Sequence, residues 1–266
     1  MRSRHTLVAL TAMAATAAAL VLAAGPAEAS TVHYVALGDS YSSGLGAGSY
    51  GSSGSCDRSA NAYAQLWDNA YGPASFTFAA CSGATTSDVL SSQISSVTSS
   101  TTLVSITIGG NDVGFSSVME TCVIWGTSSC VSAINSAESQ AAATLPAAYD
   151  NVLNAIAAKA PNARIVFLDY PDFYDLSQSS SCVGLSGTSR AKVDEGINQL
   201  DGLVQAAAAR HGAVFADVRS GFAGHEICDG TSWLNSVDWL NFSDSYHPTA
   251  AGQAGGYYPV FAANAS

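Results

Sequence analysis

A mostly parallel, five-stranded α/β sheet with helices on both faces is the fold that this sequence of 266 residues predicts. Three observations carry that reading. Short apolar runs rich in β-branched residues alternate with longer segments of helical period. The first three runs end in glycine-containing turns, which suits strands that stop abruptly at one edge. No linker or shift of composition divides the chain, so one sheet takes all five runs.

The elements follow in order. Arg2 and Arg4 precede an apolar run from about Thr6 to Ala24, and Ala27-Glu28-Ala29 supplies a small-x-small cleavage pattern. Residues 1–29 are therefore expected to be a secretory signal peptide, not a membrane span, and residues 30–266 the folded, extracellular domain. Residues 32–37 form the first strand, and the Gly/Ser-rich stretch 49–55 is loop. Residues 60–67 have helical spacing. Residues 76–80 form the second strand, which runs into Cys81-Ser82-Gly83. Val89, Leu90, Ile94 and Val97 give 87–97 a helical period. Residues 103–108 form the third strand, closed by Gly109-Gly110-Asn111-Asp112. The alanine-rich segment 133–158 places Leu145, Val152, Leu153 and Ile156 on one helical face, and Pro146 is expected to kink or split it. A fourth strand at 163–168, a helix at 189–210 stopped by His211-Gly212, and a fifth strand at 213–218 follow. From Thr249 onward a last helical segment is weakened by Gly255, Gly256 and Pro259.

Composition narrows the partners. Without the leader's Arg2, Arg4 and Glu28, seven basic and nineteen acidic side chains remain, a formal charge of −12. Such a surface argues against nucleic acid or anionic membranes as partners. Six cysteines, Cys56, Cys81, Cys122, Cys130, Cys182 and Cys228, all follow the cleavage site. An even count in a secreted chain reads as three disulfides with about fifteen pairings. The order of spacing favours neighbours, 56–81, 122–130 and 182–228. No CxxC occurs and no Cys stands at ligand spacing from a His, so no metal is expected. Nothing suggests a cofactor, and a monomer is expected.

In an open parallel sheet, ligands bind beyond the carboxyl ends of the strands. Ser40, Gly83 and Asn111 each follow such an end. A serine hydroxyl attacks poorly unless a base takes its proton, and His247, in Asp244-Ser-Tyr-His-Pro-Thr, is the histidine best placed to serve. The plainer readings are Ser40 as a helix N-cap and His247 as a surface residue beside a helix start. Gly83 offers a backbone N–H and Asn111 a side-chain amide to a developing oxyanion, with the Ser40 N–H a third donor. His33, His211 and His225 sit in strand, helix-end and loop contexts that suit no such role.

The blocks Gly38-Asp39-Ser40, Gly83, Gly109-Gly110-Asn111-Asp112 and Asp244-Ser245-Tyr246-His247 resemble, in order and spacing, the four signature blocks of SGNH hydrolases, also called GDSL lipases. The resemblance spans nearly all of the mature chain and is nearest to the secreted Streptomyces lipases and phospholipases A1. It implies a three-layer αβα sandwich of flavodoxin-like topology, serine-ester hydrolysis without a metal, and the neighbour pairing of the six cysteines. Carried over by position, Ser40 is the nucleophile, His247 the base, and Ser40, Gly83 and Asn111 the oxyanion hole. The acid three residues before the histidine is Asp244, favoured as a support. In some relatives a backbone carbonyl, here that of Ser245, orients the imidazole instead. Tyr41 departs from the family's common leucine. The expected substrates are small or lipid acyl esters, with transient contact to a lipid interface. The alternatives are a carbohydrate-ester deacetylase of the same fold and a non-catalytic secreted binding domain. Trp233, Leu234, Trp239, Leu240 and Phe242 cluster before His247, as pocket lining, a lipid-facing surface or core of a long loop.

Overall fold

The computed structural model describes residues 30–178, 182 and 184–266; the leader expected at 1–29 lies outside them. Five parallel strands form one sheet: β1 (His33–Gly38), β2 (Ser75–Phe78), β3 (Leu103–Thr107), β4 (Arg164–Leu168) and β5 (Val214–Ala216). Their order is β2-β1-β3-β4-β5. The registers of β1 with its two neighbours, Tyr34 against Phe76 and Leu103, keep the strand ends level. Between β1 and β3 the winding reverses, which opens a crevice at their carboxyl ends.

The helices are α1 (Ser40–Ser43), α2 (Tyr63–Tyr71), α3 (Thr86–Asp88), α4 (Phe115–Lys159), α5 (Gly187–His211), α6 (Arg219–Phe222), α7 (Ala250–Gly252) and α8 (Tyr258–Asn264). Alternation along the strands divides the core in two. Val35, Leu37, Val104 and Ile106 pack under Val152 and Ile156 of α4 and Val204 of α5. Tyr34 and Ala36 point the other way, toward Trp67 of α2 and Phe261 of α8. Fully burying each such side chain contributes roughly 1.5–3 kcal/mol. The layers are thus helix, sheet, helix, as expected.

The elements depart from the sequence reading in two places. The expected helix 87–97 is short: α3 is capped by Thr85 and Asp88 in a reciprocal box, then passes into wider and tighter turns to Ser96. The helix expected at 133–158 begins earlier and is not split at Pro146. Only the carbonyl of Ala142 loses a partner to that proline, and Ala142 lies on the exposed face, where water reaches it. The break falls instead at Gly126, with φ 77° and ψ −178°. The Cys122–Cys130 disulfide explains it. Eight residues of straight helix span about 12 Å, yet these two Cα atoms are 4.1 Å apart. The chain must fold back between them, and a glycine midway adopts the left-handed conformation that does so. All three disulfides follow the neighbour pairing, with Cys56–Cys81 and Cys182–Cys228 the others.

Gly38 ends β1 at φ 122°. A Cβ there would overlap the Thr107 carbonyl oxygen and crowd Ser42 Oγ at 2.7 Å. Gly38→Ala is expected to cost at least about 2 kcal/mol of stability in urea unfolding, from backbone strain and overlap together; a midpoint unchanged within error would contradict this.

Candidate active site

Ser40 opens α1 directly beyond β1. Asp39, not Ser40, is the N-cap: its Oδ1 accepts from the Tyr41 N–H at 3.0 Å. The Ser40 hydroxyl is thereby left free of capping, and its Oγ lies 2.7 Å from His247 Nε2 across 207 positions of sequence. Asp39 is itself buried and fully engaged. Thr107 Oγ1 donates to Oδ1 at 2.9 Å and the Tyr170 hydroxyl to Oδ2 at 2.6 Å. Burial pushes its carboxyl up to about 6, while the bonds from Tyr170, Tyr41 and Thr107 pull it down.

His247 Nδ1 stands 3.0 Å from the Ser245 carbonyl oxygen. A carbonyl only accepts, so Nδ1 carries the hydrogen and Nε2 turns its lone pair to the Ser40 hydroxyl. The rings of Tyr41 and Phe115 lie 5.0 and 6.3 Å from the imidazole. Burial among them pushes His247 down to about 4, opposed by its hydrogen bond to the Ser245 carbonyl. The ring is neutral at pH 7, the form that can take a proton.

Of the two acceptors that the sequence leaves open for Nδ1, the carbonyl makes the contact. No hydrogen bond joins the ring to the Asp244 carboxylate, which accepts from Asn241 Nδ2 at 2.6 Å. The Asp244 side chain, expected as a support, makes no such contact with the ring. Tyr246 at φ 66° reverses the chain, and Asp244 is left to receive the His247 N–H on its backbone oxygen at 3.2 Å. Such a φ is rare for a tyrosine and costs on the order of 1–3 kcal/mol. Its neighbours hold it there. Its N–H donates to the Asn235 carbonyl at 2.8 Å, its carbonyl accepts from the Tyr41 hydroxyl at 2.6 Å, and its ring stacks on Phe173 at 5.5 Å.

The other candidate groups gather at the same edge. Ser40, Gly110, Asn111 and Phe115 border one cavity. Asn111 Nδ2 donates one hydrogen to the Ala84 carbonyl at 2.9 Å, which ties it to the turn of Gly83 and leaves its second amide hydrogen for a ligand. The turn is anchored by Cys81 N–H on the Gly38 carbonyl at 3.0 Å and Ser82 N–H on the Cys56 carbonyl at 3.1 Å, beside the 56–81 disulfide. Among the described residues, none accepts from the backbone N–H of Ser40 or Gly83. The aromatic cluster before His247 divides. Leu234 is buried, Trp233 stacks on His225, and Phe242 is half-buried, whereas Trp239 and Leu240 are 70% and 100% exposed.

Several positioning residues escape the sequence reading. Asn235 donates its N–H and Nδ2 to the His247 carbonyl at 2.9 and 3.0 Å. Tyr170 bridges Asp39 to the Gly110 N–H, 3.2 Å from its hydroxyl. Gln253 spans Tyr41 and Tyr63. None has a local sequence signal. Tyr41 had one, as a departure from the family pattern, without a reason until its hydroxyl is seen on the Tyr246 carbonyl.

Comparison with known proteins identifies the family. The model of the GDSL-like Lipase/Acylhydrolase family matches residues 36–254. Lipase 1 of Streptomyces coelicolor is 54% identical over 248 residues, 93% of this chain and 91% of its own. The crystal structure of an extracellular lipase from Streptomyces rimosus superposes with a TM-score of 0.84 at 50% identity, over 88% of this chain and 99% of that one. That of phospholipase A1 from Streptomyces albidoflavus NA297 gives 0.85 at 52%, over 87% and 98%.

With the imidazole held by a backbone carbonyl, Asp244→Asn is expected to lower kcat by less than about ten-fold, against the ~10⁴-fold losses typical where a carboxylate does the holding. A loss of that larger size on a soluble aryl ester would contradict the geometry.

Proposed function

The chain belongs to the GDSL-like lipase/acylhydrolase family and is a carboxylic ester hydrolase; from that premise we propose that it is a secreted lipase or phospholipase acting on acyl esters of glycerolipids through an acyl-enzyme. The observation that carries the proposal is the 2.7 Å contact between Ser40 Oγ and a His247 whose Nδ1 faces a carbonyl.

The chemistry follows from the protons. Ser40 Oγ attacks the ester carbonyl carbon as its hydrogen passes to His247 Nε2. The ring then carries both hydrogens, and the Ser245 carbonyl still accepts from Nδ1. The negative charge that forms on the carbonyl oxygen would be met by the backbone N–H groups of Ser40 and Gly83 and the free amide hydrogen of Asn111. Each such donor supplies roughly 3–4 kcal/mol at the transition state. His247 returns the proton from Nε2 to the departing alcohol. Water, deprotonated in turn by Nε2, releases the acid and restores Ser40.

Secretion is supported by the leader pattern at 1–29, by three disulfides and by the extracellular lipase of Streptomyces rimosus among the relatives. No helix among the described residues is long and apolar enough to cross a membrane. The resemblance to a phospholipase A1 favours phospholipid among the glycerolipids.

Two measurements test the proposal. A fluorophosphonate is expected to label the wild-type chain and not Ser40→Ala; a folded wild type that resists labelling would favour a binding domain. In an assay of phosphatidylcholine, triacylglycerol and acetylated xylan, acid release is expected from the glycerolipids. Acetate release from the xylan alone would make the protein a deacetylase.

A further inference from the structure

Two loops carry large apolar side chains into water. Trp125 is 70% exposed and Ile124 beside it is half-exposed; Trp239 and Leu240 are equally bare on the loop before His247. The first tip is built by the Cys122–Cys130 disulfide and the reversal at Gly126, which hold the loop without burying its side chains. The second is held from within, because the Asp238 carboxylate accepts from the N–H groups of Leu240 and Asn241 at 2.9 and 3.2 Å. The fold gains nothing from such exposure, and apolar side chains grouped in this way mark a surface that another molecule covers. The two tips are neighbours. Val123, Val237, Trp239 and Tyr246 line one cavity between them. Tyr246 directly precedes the base and stacks on Phe173, which borders the cavity at Ser40. The exposed apolar face is thus continuous with the active site.

We propose that Ile124, Trp125, Trp239 and Leu240 form a docking face for a zwitterionic lipid surface, and that this face seats the chain with its Ser40 cavity against the lipid. The assignment rests on the esterase reading above and deepens it, since it names the physical form in which the substrate is met. Charge selects the occupant. Residues 115–130 and 231–249 contain no Lys or Arg and three carboxylates, Glu120, Asp238 and Asp244. An anionic leaflet is repelled by these and by the acidic chain as a whole; a zwitterionic one is not. Tryptophan suits such a surface, because the indole sinks its apolar ring to the level of the headgroups and keeps its N–H wet. A second copy of the chain fits less well. A two-fold contact through this face would set each carboxylate near those of the other copy.

The test uses the mature full chain with Ser40→Ala, so that vesicles survive the measurement, and reads binding by co-sedimentation. Phosphatidylcholine vesicles are expected to bind the protein with a blue shift of its tryptophan emission, and phosphatidylglycerol vesicles to bind it less. Trp125→Ser and Leu240→Ser, one on each loop, are each expected to weaken binding to phosphatidylcholine at least about five-fold, as the loss of one buried apolar side chain implies. Both positions are exposed, and an unchanged thermal midpoint confirms the fold of each variant. With Ser40 restored, Trp125→Ser is expected to lose hydrolysis of phosphatidylcholine vesicles at least five-fold while kcat/KM on soluble p-nitrophenyl acetate stays within two-fold of wild type. Vesicle binding unchanged within two-fold in both folded variants would overturn the assignment, as would tighter binding to phosphatidylglycerol. A dimer in sedimentation velocity that Trp125→Ser dissociates would overturn it too, and give the face to a second copy. If the wild type resists the phosphonate, the esterase reading has failed, an outcome that vesicle binding by the Ser40→Ala chain does not share.

Discussion

One hydrogen bond, from His247 Nδ1 to the Ser245 carbonyl, sets what the rest of the site must do. It fixes the tautomer and leaves Nε2 as an acceptor 2.7 Å from Ser40 Oγ. A backbone carbonyl cannot swing as a carboxylate can, so the chain around it carries the precision. Tyr246 accepts a left-handed φ, and Asn235, Tyr41 and Phe173 hold it from three sides. A dipole also stabilises an imidazolium less than a full charge would. Together with burial, that keeps the resting ring neutral over a wide range of pH.

The opposite half of the site depends on Asp39. This one buried carboxylate caps α1, grips the end of β3 through Thr107, and reaches the Gly110 turn through Tyr170. Three segments far apart in sequence are thus locked at the crevice where the sheet's winding reverses. A hydrogen-bonded network continues beneath them. Ser42 Oγ meets Thr107 Oγ1 and the Tyr63 hydroxyl, and Ser105 Oγ meets Tyr63 and Tyr34. Fully partnered buried networks of this kind rigidify a site, since any missing member would leave a polar group unpaired. The nucleophile and its base are held by separate frameworks, and the Tyr41 hydroxyl on the Tyr246 carbonyl joins them.

Much of this was legible in the sequence, for physical reasons. Strands buried on both faces read as apolar runs, and a nucleophile beyond β1 announces itself by the glycine that ends the strand. Ser40, Gly83 and Asn111 were legible because each follows the carboxyl end of a strand, and His247 because its block resembles a family signature. What stayed hidden depends on tertiary contact. Nothing local in Asn235, Tyr170 or Gln253 marks a partner 12, 131 or 212 positions away. The choice between the Asp244 side chain and the Ser245 carbonyl turns on one backbone dihedral at Tyr246, which residue type does not reveal. The break of α4 was nearer to hand. Two cysteines eight apart with a glycine midway cannot be bonded along a straight helix, and that geometry outranks Pro146.

A backbone carbonyl fixes the His247 tautomer with its hydrogen on Nδ1, and burial keeps the ring neutral. Nitrogen-15 NMR of histidine-labelled protein tests it most directly, with the His247 signals assigned by their loss in His247→Gln. The Nδ1–H tautomer is expected at pH 7, with a titration midpoint near 4, because burial disfavours the charged ring. An Nε2–H tautomer, or a midpoint at the ordinary histidine value of about 6.5, would contradict it.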